Sequence, residues 1–288
     1  MLKKYYSYLG ILVLVCFSFY YTDLAVDLVK KNDPIMQSIM RLEDTYYIEP
    51  VSASVNVDEI IPGYNGIKIN IDESYRKMKK YNKFNENMLV FEEIAPDLTL
   101  TKRYDKYIVN GNLYKSDVSL VFKVSDVANL ENIYNVLLEK KISATFFVDG
   151  TVIENNMDLI SDMARDGNQI ENFGYGGKYS TDMLVWTNNM ITSITNSDTK
   201  YCYSEYNNNE LLELCSKNKM YVVKPNVIAT NYPFSKVKKN LDNGSIIALE
   251  ANNETLKELP AIISYINQKG YNATTLETAL SEARVYDK

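Results

Sequence analysis

From Asp117 onward, short apolar runs alternate with stretches of helical period. Val118-Ser119-Leu120-Val121-Phe122 reads as a buried strand, and Val127, Leu130, Ile133, Tyr134, Leu137 and Leu138 then recur at the spacing of one helix face. Ser143 to Val148 predicts a second strand, and a helix follows from about Val152 to Arg165, with Gly167 just beyond it as a stop. Further strands are predicted at Gln169–Asn172, Lys200–Tyr203, Met220–Lys224, Gly244–Glu250 and Ala273–Thr275. Helical patterns lie between them, such as Leu256, Leu259, Ile262, Ile263 and Ile266. Strands that alternate with helices imply parallel βαβ units, and about seven of them suggest a closed or nearly closed barrel. In such barrels chemistry sits at the C-terminal strand ends. The residues to read are therefore Lys123 and Val124, Asp149, Phe173 to Gly177, Tyr203, Lys224 and Pro225, and Glu250.

Before Asp117 the texture differs. Alternation at Ile67, Ile69 and Ile71, a charged helix from Glu73 to about Lys83, and short strands at Val90-Phe91 and Tyr107-Ile108-Val109 predict a small α+β domain over 51–115. Residues 22–50 read as a stalk, loosely helical and broken at Pro34. At the start, Lys3 and Lys4 precede an uncharged, mostly apolar run from Tyr5 to Tyr21. A run of that kind, flanked by lysine and interfacial tyrosine, can span a bilayer, and the preceding charge places the N-terminus inside. The expected anchor is thus 1–21, with 116–288 outside the cell membrane. A cleaved signal peptide is the alternative, although no small-x-small site follows.

Composition sharpens this picture at two points. The net charge of −6, with both signs interspersed, argues against a nucleic-acid surface. The chain contains no histidine, which removes every mechanism that needs an imidazole base or ligand. Of the three cysteines, Cys16 lies in the apolar run, and Cys202 and Cys215 either pair or remain free thiols.

Four segments, in order, carry a resemblance. The first is Lys141-Ile142-Ser143-Ala144-Thr145-Phe146-Phe147-Val148-Asp149-Gly150, and the second Asp166-Gly167-Asn168-Gln169-Ile170-Glu171-Asn172. The third is Gly244-Ser245-Ile246-Ile247, and the fourth Gln268-Lys269-Gly270-Tyr271. Together they resemble the NodB-homology domain of polysaccharide deacetylases, over about 117–283. The resemblance implies a distorted (β/α)7-type barrel, preceded here by the small α+β domain and the transmembrane helix. It also implies a divalent metal such as zinc, held by one Asp and two His, and hydrolysis of acetyl groups on envelope glycans by a metal-bound water.

Residue by residue, the family's chemistry is replaced. Lys123 and Val124 stand at the paired Asp, Phe173 and Gly177 at the two metal-binding His, and Glu250 at the catalytic His, while Lys200 stands in for the motif Arg. Val, Phe and Gly offer no side-chain ligand atoms, so the expectation is no catalytic residue, no metal and no cofactor. The alternative is a relocated, oxygen-only site built from Asp126, Asp149, Glu171 and Glu250, suited to Ca²⁺ or Mg²⁺. Lys123 either pairs with a carboxylate, Glu250 being favoured, or extends to solvent. Tyr175, Trp186 and Tyr203 are candidate glycan-stacking residues, with Tyr179 and Tyr201 near them in sequence. The expected function is a membrane-anchored pseudoenzyme of a bacterial cell envelope that binds peptidoglycan, another wall glycan or a wall-enzyme partner. The alternatives are an active deacetylase with a non-standard site and a protein scaffold without glycan affinity.

Overall fold

The computed structural model describes residues 12–18, 20, 22 and 28–284. Its strands, in chain order, are β1 (Ser54–Asn56), β2 (Glu59–Ile61), β3 (Gly66–Ile69), β4 (Phe91–Ile94), β5 (Tyr107–Ile108), β6 (Asp117–Val124), β7 (Thr145–Val148), β8 (Gln169–Asn172), β9 (Tyr201–Tyr203), β10 (Tyr221–Val223), β11 (Val227–Ile228), β12 (Ile246–Glu250) and β13 (Asn272–Thr274). The chain divides into two compact units, 1–49 with 66–94, and 50–65 with 95–288.

The smaller unit pairs β3 with β4 in an antiparallel ribbon. Its core is Ile35, Ile39, Ile69, Met78 and Leu89. Helix Pro34–Met40 starts on Pro34 and is capped by Asp33, whose carboxylate accepts from Ile35 N–H. The proline expected to break a stalk therefore begins a helix, and Ile35 and Ile39 bury its apolar face. The domain boundaries differ from the expected ones in the same way. Residues 34–49 belong to the small unit, whereas 50–65 and 95–115 belong to the larger one. The division follows strand pairing, because β2 and β5 lie in one sheet with β9 and β10.

That larger unit is the barrel, built from two sheets. One has the order β11-β12-β6-β7-β8, with β13 also on β6, and the other β1-β2-β5-β10-β9. Every pairing in it is parallel except β1 with β2. Alternation sorts the side chains of each strand. Val121, Phe147, Tyr201, Tyr203, Val223, Ile246 and Ala248 fill the interior together with Ile60 and Ile108. Leu120, Phe122, Val124, Phe146, Val148, Ile247 and Leu249 face the outer helices. The predicted helix 152–165 is two helices, Gly150–Asn155 and Met157–Arg165, separated at Asn156.

Among the described residues no backbone ladder joins β8 to β9. A buried side chain bridges that seam: the Glu171 carboxylate accepts from Lys200 N–H at 2.8 Å and Tyr201 N–H at 2.9 Å. The Gln169 amide donates to its other oxygen at 2.7 Å. Burial pushes the Glu171 carboxyl up to about 8, with the three donors acting against it.

From β9, Cys202 forms a disulfide with Cys215 on helix Asn209–Lys217, which settles the pairing left open by the sequence. About half of the expected membrane run, Tyr5 to Tyr21, lies outside the described residues. Among the described residues no helix is long and apolar enough to cross a membrane.

Replacing Cys202 and Cys215 together by alanine opens a loop with a sequence separation of 13. The expected cost is about 3 kcal/mol, read as a lower urea midpoint.

Candidate functional site

The C-terminal strand ends converge on a mouth that is plugged. Lys123, the inward-facing residue near the end of β6, donates to Glu205 Oε1 at 2.7 Å. Glu205 lies two residues beyond Tyr203, whose hydroxyl donates to the same oxygen at 3.2 Å. The two ionic side chains are only 21% and 18% exposed, so the pair is largely withdrawn from water. The Lys123 ammonium also lies 6.0 Å from the Tyr203 ring centroid. Phe147 packs 5.3 Å from the Tyr203 ring, and Phe173 meets the same ring edge-on at 5.7 Å. Burial, and then the neighbouring Glu205 charge, push the Tyr203 phenol upward, which keeps it a neutral donor.

This geometry corrects one expectation about Lys123: its partner is Glu205, not Glu250. Glu250 is the register neighbour of Lys123 across β12 and β6, so their Cα atoms are adjacent. Among the described residues, however, no side chain is bonded to the Glu250 carboxylate. A second lysine at the mouth, Lys224, pairs with Glu59 and donates to Asn207 at 2.8 Å.

The remaining motif positions separate. Val124 is fully buried in the helix-facing core, so its side chain is turned from the barrel interior. Phe173 occupies the first imidazole position as a packing residue. Gly177 has φ +73°, a conformation that suits glycine. Lys200, expected in place of the motif Arg, precedes β9 at the opposite end of the strands and pairs there with Glu277. Tyr201 is buried at that same end, and Tyr179 donates to Asn172 O at 3.0 Å. Of the glycan candidates, Tyr203 is buried at 4% exposure and presents no stacking face. Tyr175 and Trp186 instead share a surface cleft.

Asp149 closes the loop that carries Gly176 and Gly177. Its carboxylate accepts from Gly176 N–H at 3.0 Å, Gly177 N–H at 2.8 Å, and Thr151 through N–H at 2.9 Å and hydroxyl at 2.7 Å. Burial raises this carboxyl, but the donors from Thr151, Gly177 and Gly176 outweigh it and hold the group below its ordinary value.

The residues present do not fit the family's metal. An ammonium, a buried valine, a phenylalanine and a glycine occupy the ligand and base positions. The relocated set does not assemble either: Asp126 accepts from Ala128 N–H, Asp149 holds its loop, Glu171 bridges the seam and Glu250 stands apart at the mouth. Among the described residues no group of three or more carboxylate or thiol side chains is placed to hold a metal ion.

Comparison with known proteins fixes the class. Residues 110–241 match the polysaccharide deacetylase family model, and this barrel is a divergent member of that family. Uncharacterized protein YlxY of Bacillus subtilis (strain 168) is 28% identical over 284 residues, covering 90% of this chain and 88% of its own. Wild-type BA3943, described as a CE4 family pseudoenzyme from Bacillus anthracis, is 24% identical with TM-score 0.67, over 88% of this chain and 97% of that one. Bacillus subtilis PdaA, a family 4 carbohydrate esterase, is 18% identical with TM-score 0.54, over 62% of this chain and 86% of that one. At these identities the two solved structures speak to the fold alone.

Two outcomes follow from the mouth and its neighbouring loop. Glu205→Gln strands a mostly buried ammonium and should cost about 1–3 kcal/mol in urea denaturation, whereas Glu250→Gln should stay within about 0.5 kcal/mol. Asp149 contributes stability that is fully present above 3.8 and lost as pH falls beneath that value, because its folded pKa is lowered. Asp149→Asn should therefore lower the melting temperature at neutral pH and flatten the acid limb of the pH profile.

Proposed function

We propose that this protein is a non-catalytic, deacetylase-like component of the bacterial cell envelope, anchored by its N-terminal apolar run and binding a wall glycan through the barrel. One observation carries the reading: of the positions where the family keeps its base and metal ligands, Lys123 is held by Glu205 and Phe173 packs on the Tyr203 ring beside Phe147, while Val124 and Gly177 offer no ligand atoms. Metal-assisted hydrolysis needs a cation to acidify water and polarise the carbonyl. A lysine ammonium already paired to a carboxylate supplies neither function.

Other observations support the setting. A buried disulfide between Cys202 and Cys215 suits an oxidising compartment outside the cytoplasm. The relative BA3943 is described as a pseudoenzyme, and a mutant of it is described as having restored enzymatic activity. In that relative the fold outlasts the chemistry.

The test uses the purified full chain with N-acetylated chito-oligosaccharide and peptidoglycan. The expected result is retention on insoluble peptidoglycan without acetate release. Acetate release above the uncatalysed rate would show an active, non-standard site. Absence of retention on any wall glycan would favour a protein scaffold.

A further inference from the structure

The aromatic residues available to a glycan lie outside the plugged mouth. Helix Thr181–Thr195 begins shortly after β8, capped by Ser180, which accepts from Met183 N–H. Asp182, Met183 and Trp186 fall at i, i+1 and i+4 on it, and the i+4 and i+3 spacings place Asp182 and Met183 each beside Trp186. Together with Tyr175 they line a cleft of about 410 Å³, within the usual range for small-ligand sites. Trp186 is 57% exposed, so much of its ring face is open to a ligand.

The other wall of the cleft is held in place. Tyr175 donates to Glu154 Oε2 at 2.7 Å. Its ring lies over Gly150, where an added Cβ would come within 2.5 Å of Tyr175 Cδ2. Any side chain at 150 would therefore displace the ring. The tyrosine is preset before a ligand arrives, which lowers the entropy cost of binding.

The charge lining the cleft has one sign. Asp182 is among the lining residues, and among the described residues no side chain is bonded to its carboxylate. The Glu154 carboxylate accepts the Tyr175 hydroxyl. Among the described residues no lysine or arginine lines the cleft. Flat aromatic faces accept the C–H face of a pyranose, and an unpaired carboxylate beside them favours a cation.

We propose that the cleft formed by Tyr175, Asp182, Met183 and Trp186 binds an amino sugar whose amine is free and protonated, in preference to its N-acetylated form. The inference rests on the glycan-binding reading above and gives it a location and a substrate class. Chemically, the protein then recognises what a deacetylation yields, and the class of reaction that supplies its ligand is N-deacetylation of a glycan.

Trp186 is the only tryptophan in the chain, so intrinsic tryptophan emission reports on this cleft alone. The full chain is titrated at mildly acid pH with fully de-N-acetylated chito-oligosaccharide and, separately, with its N-acetylated counterpart. The expected result is a saturable change in emission, with the free-amine oligomer binding about tenfold more tightly. Asp182→Asn should remove most of that preference. Calorimetry on Trp186→Ala and Tyr175→Ala should show binding about tenfold weaker or worse, with circular dichroism unchanged because neither ring belongs to the buried core. Equal affinity for the two oligomers would overturn the amine preference. Glycan binding that leaves emission unchanged and survives Trp186→Ala would overturn the location while sparing the glycan reading. Failure to bind either oligomer or insoluble wall would remove the reading itself, and this inference with it.

Discussion

A lysine ammonium near the end of an inward-facing barrel strand needs a counter-charge, and the structure of the mouth follows from that need. Lys123 finds it in Glu205, and the pair is held in register by Tyr203, which donates to the same carboxylate oxygen. Once an ion pair fills the mouth, the space beside it is left to packing, and Phe147 and Phe173 close on Tyr203 from two sides. A pair so largely withdrawn from water loses hydration and regains it through the mutual attraction and the added hydrogen bond. Its role is to keep the barrel end closed.

Carboxylates hold the rest of the unit in a comparable way, each binding backbone N–H groups that strand pairing leaves over. Glu171 does so across the β8–β9 seam and Asp149 at the Gly176-Gly177 loop. Near the C-terminus Glu282 accepts from Gly63 and Leu100, and Arg284 donates to Asn65 O while stacking 3.9 Å above Tyr64. These contacts join residues 50–65 and 95–100 to the barrel, which explains why the units do not divide at a single point in the sequence.

Much of the barrel was legible in the sequence because apolar runs with helical spacing between them leave few topologies. The vacated motif positions were legible because they could be read one by one against a framework. What failed depended on side-chain direction. Strand alternation, continued past the end of β9, places residues 201, 203 and 205 on one side, a parity signal that would have named Glu205 as partner to Lys123. The same parity turns Val124 away from the interior. Lys200 lies before β9, away from the mouth, a placement that a motif-level match does not give. The separation of 34–49 from 50–65 had no local signal, since it depends on β2 and β5 pairing with strands far along the chain.

The measurement that bears most directly on the plugged mouth is calorimetric titration of zinc into the full chain after chelation and dialysis. The account predicts no saturable heat, because an ammonium, a valine, a phenylalanine and a glycine supply no ligands. Tight binding of one zinc per chain, lost in Glu205→Gln or Glu250→Gln, would contradict it and would require a ligand set that opens the Lys123–Glu205 pair.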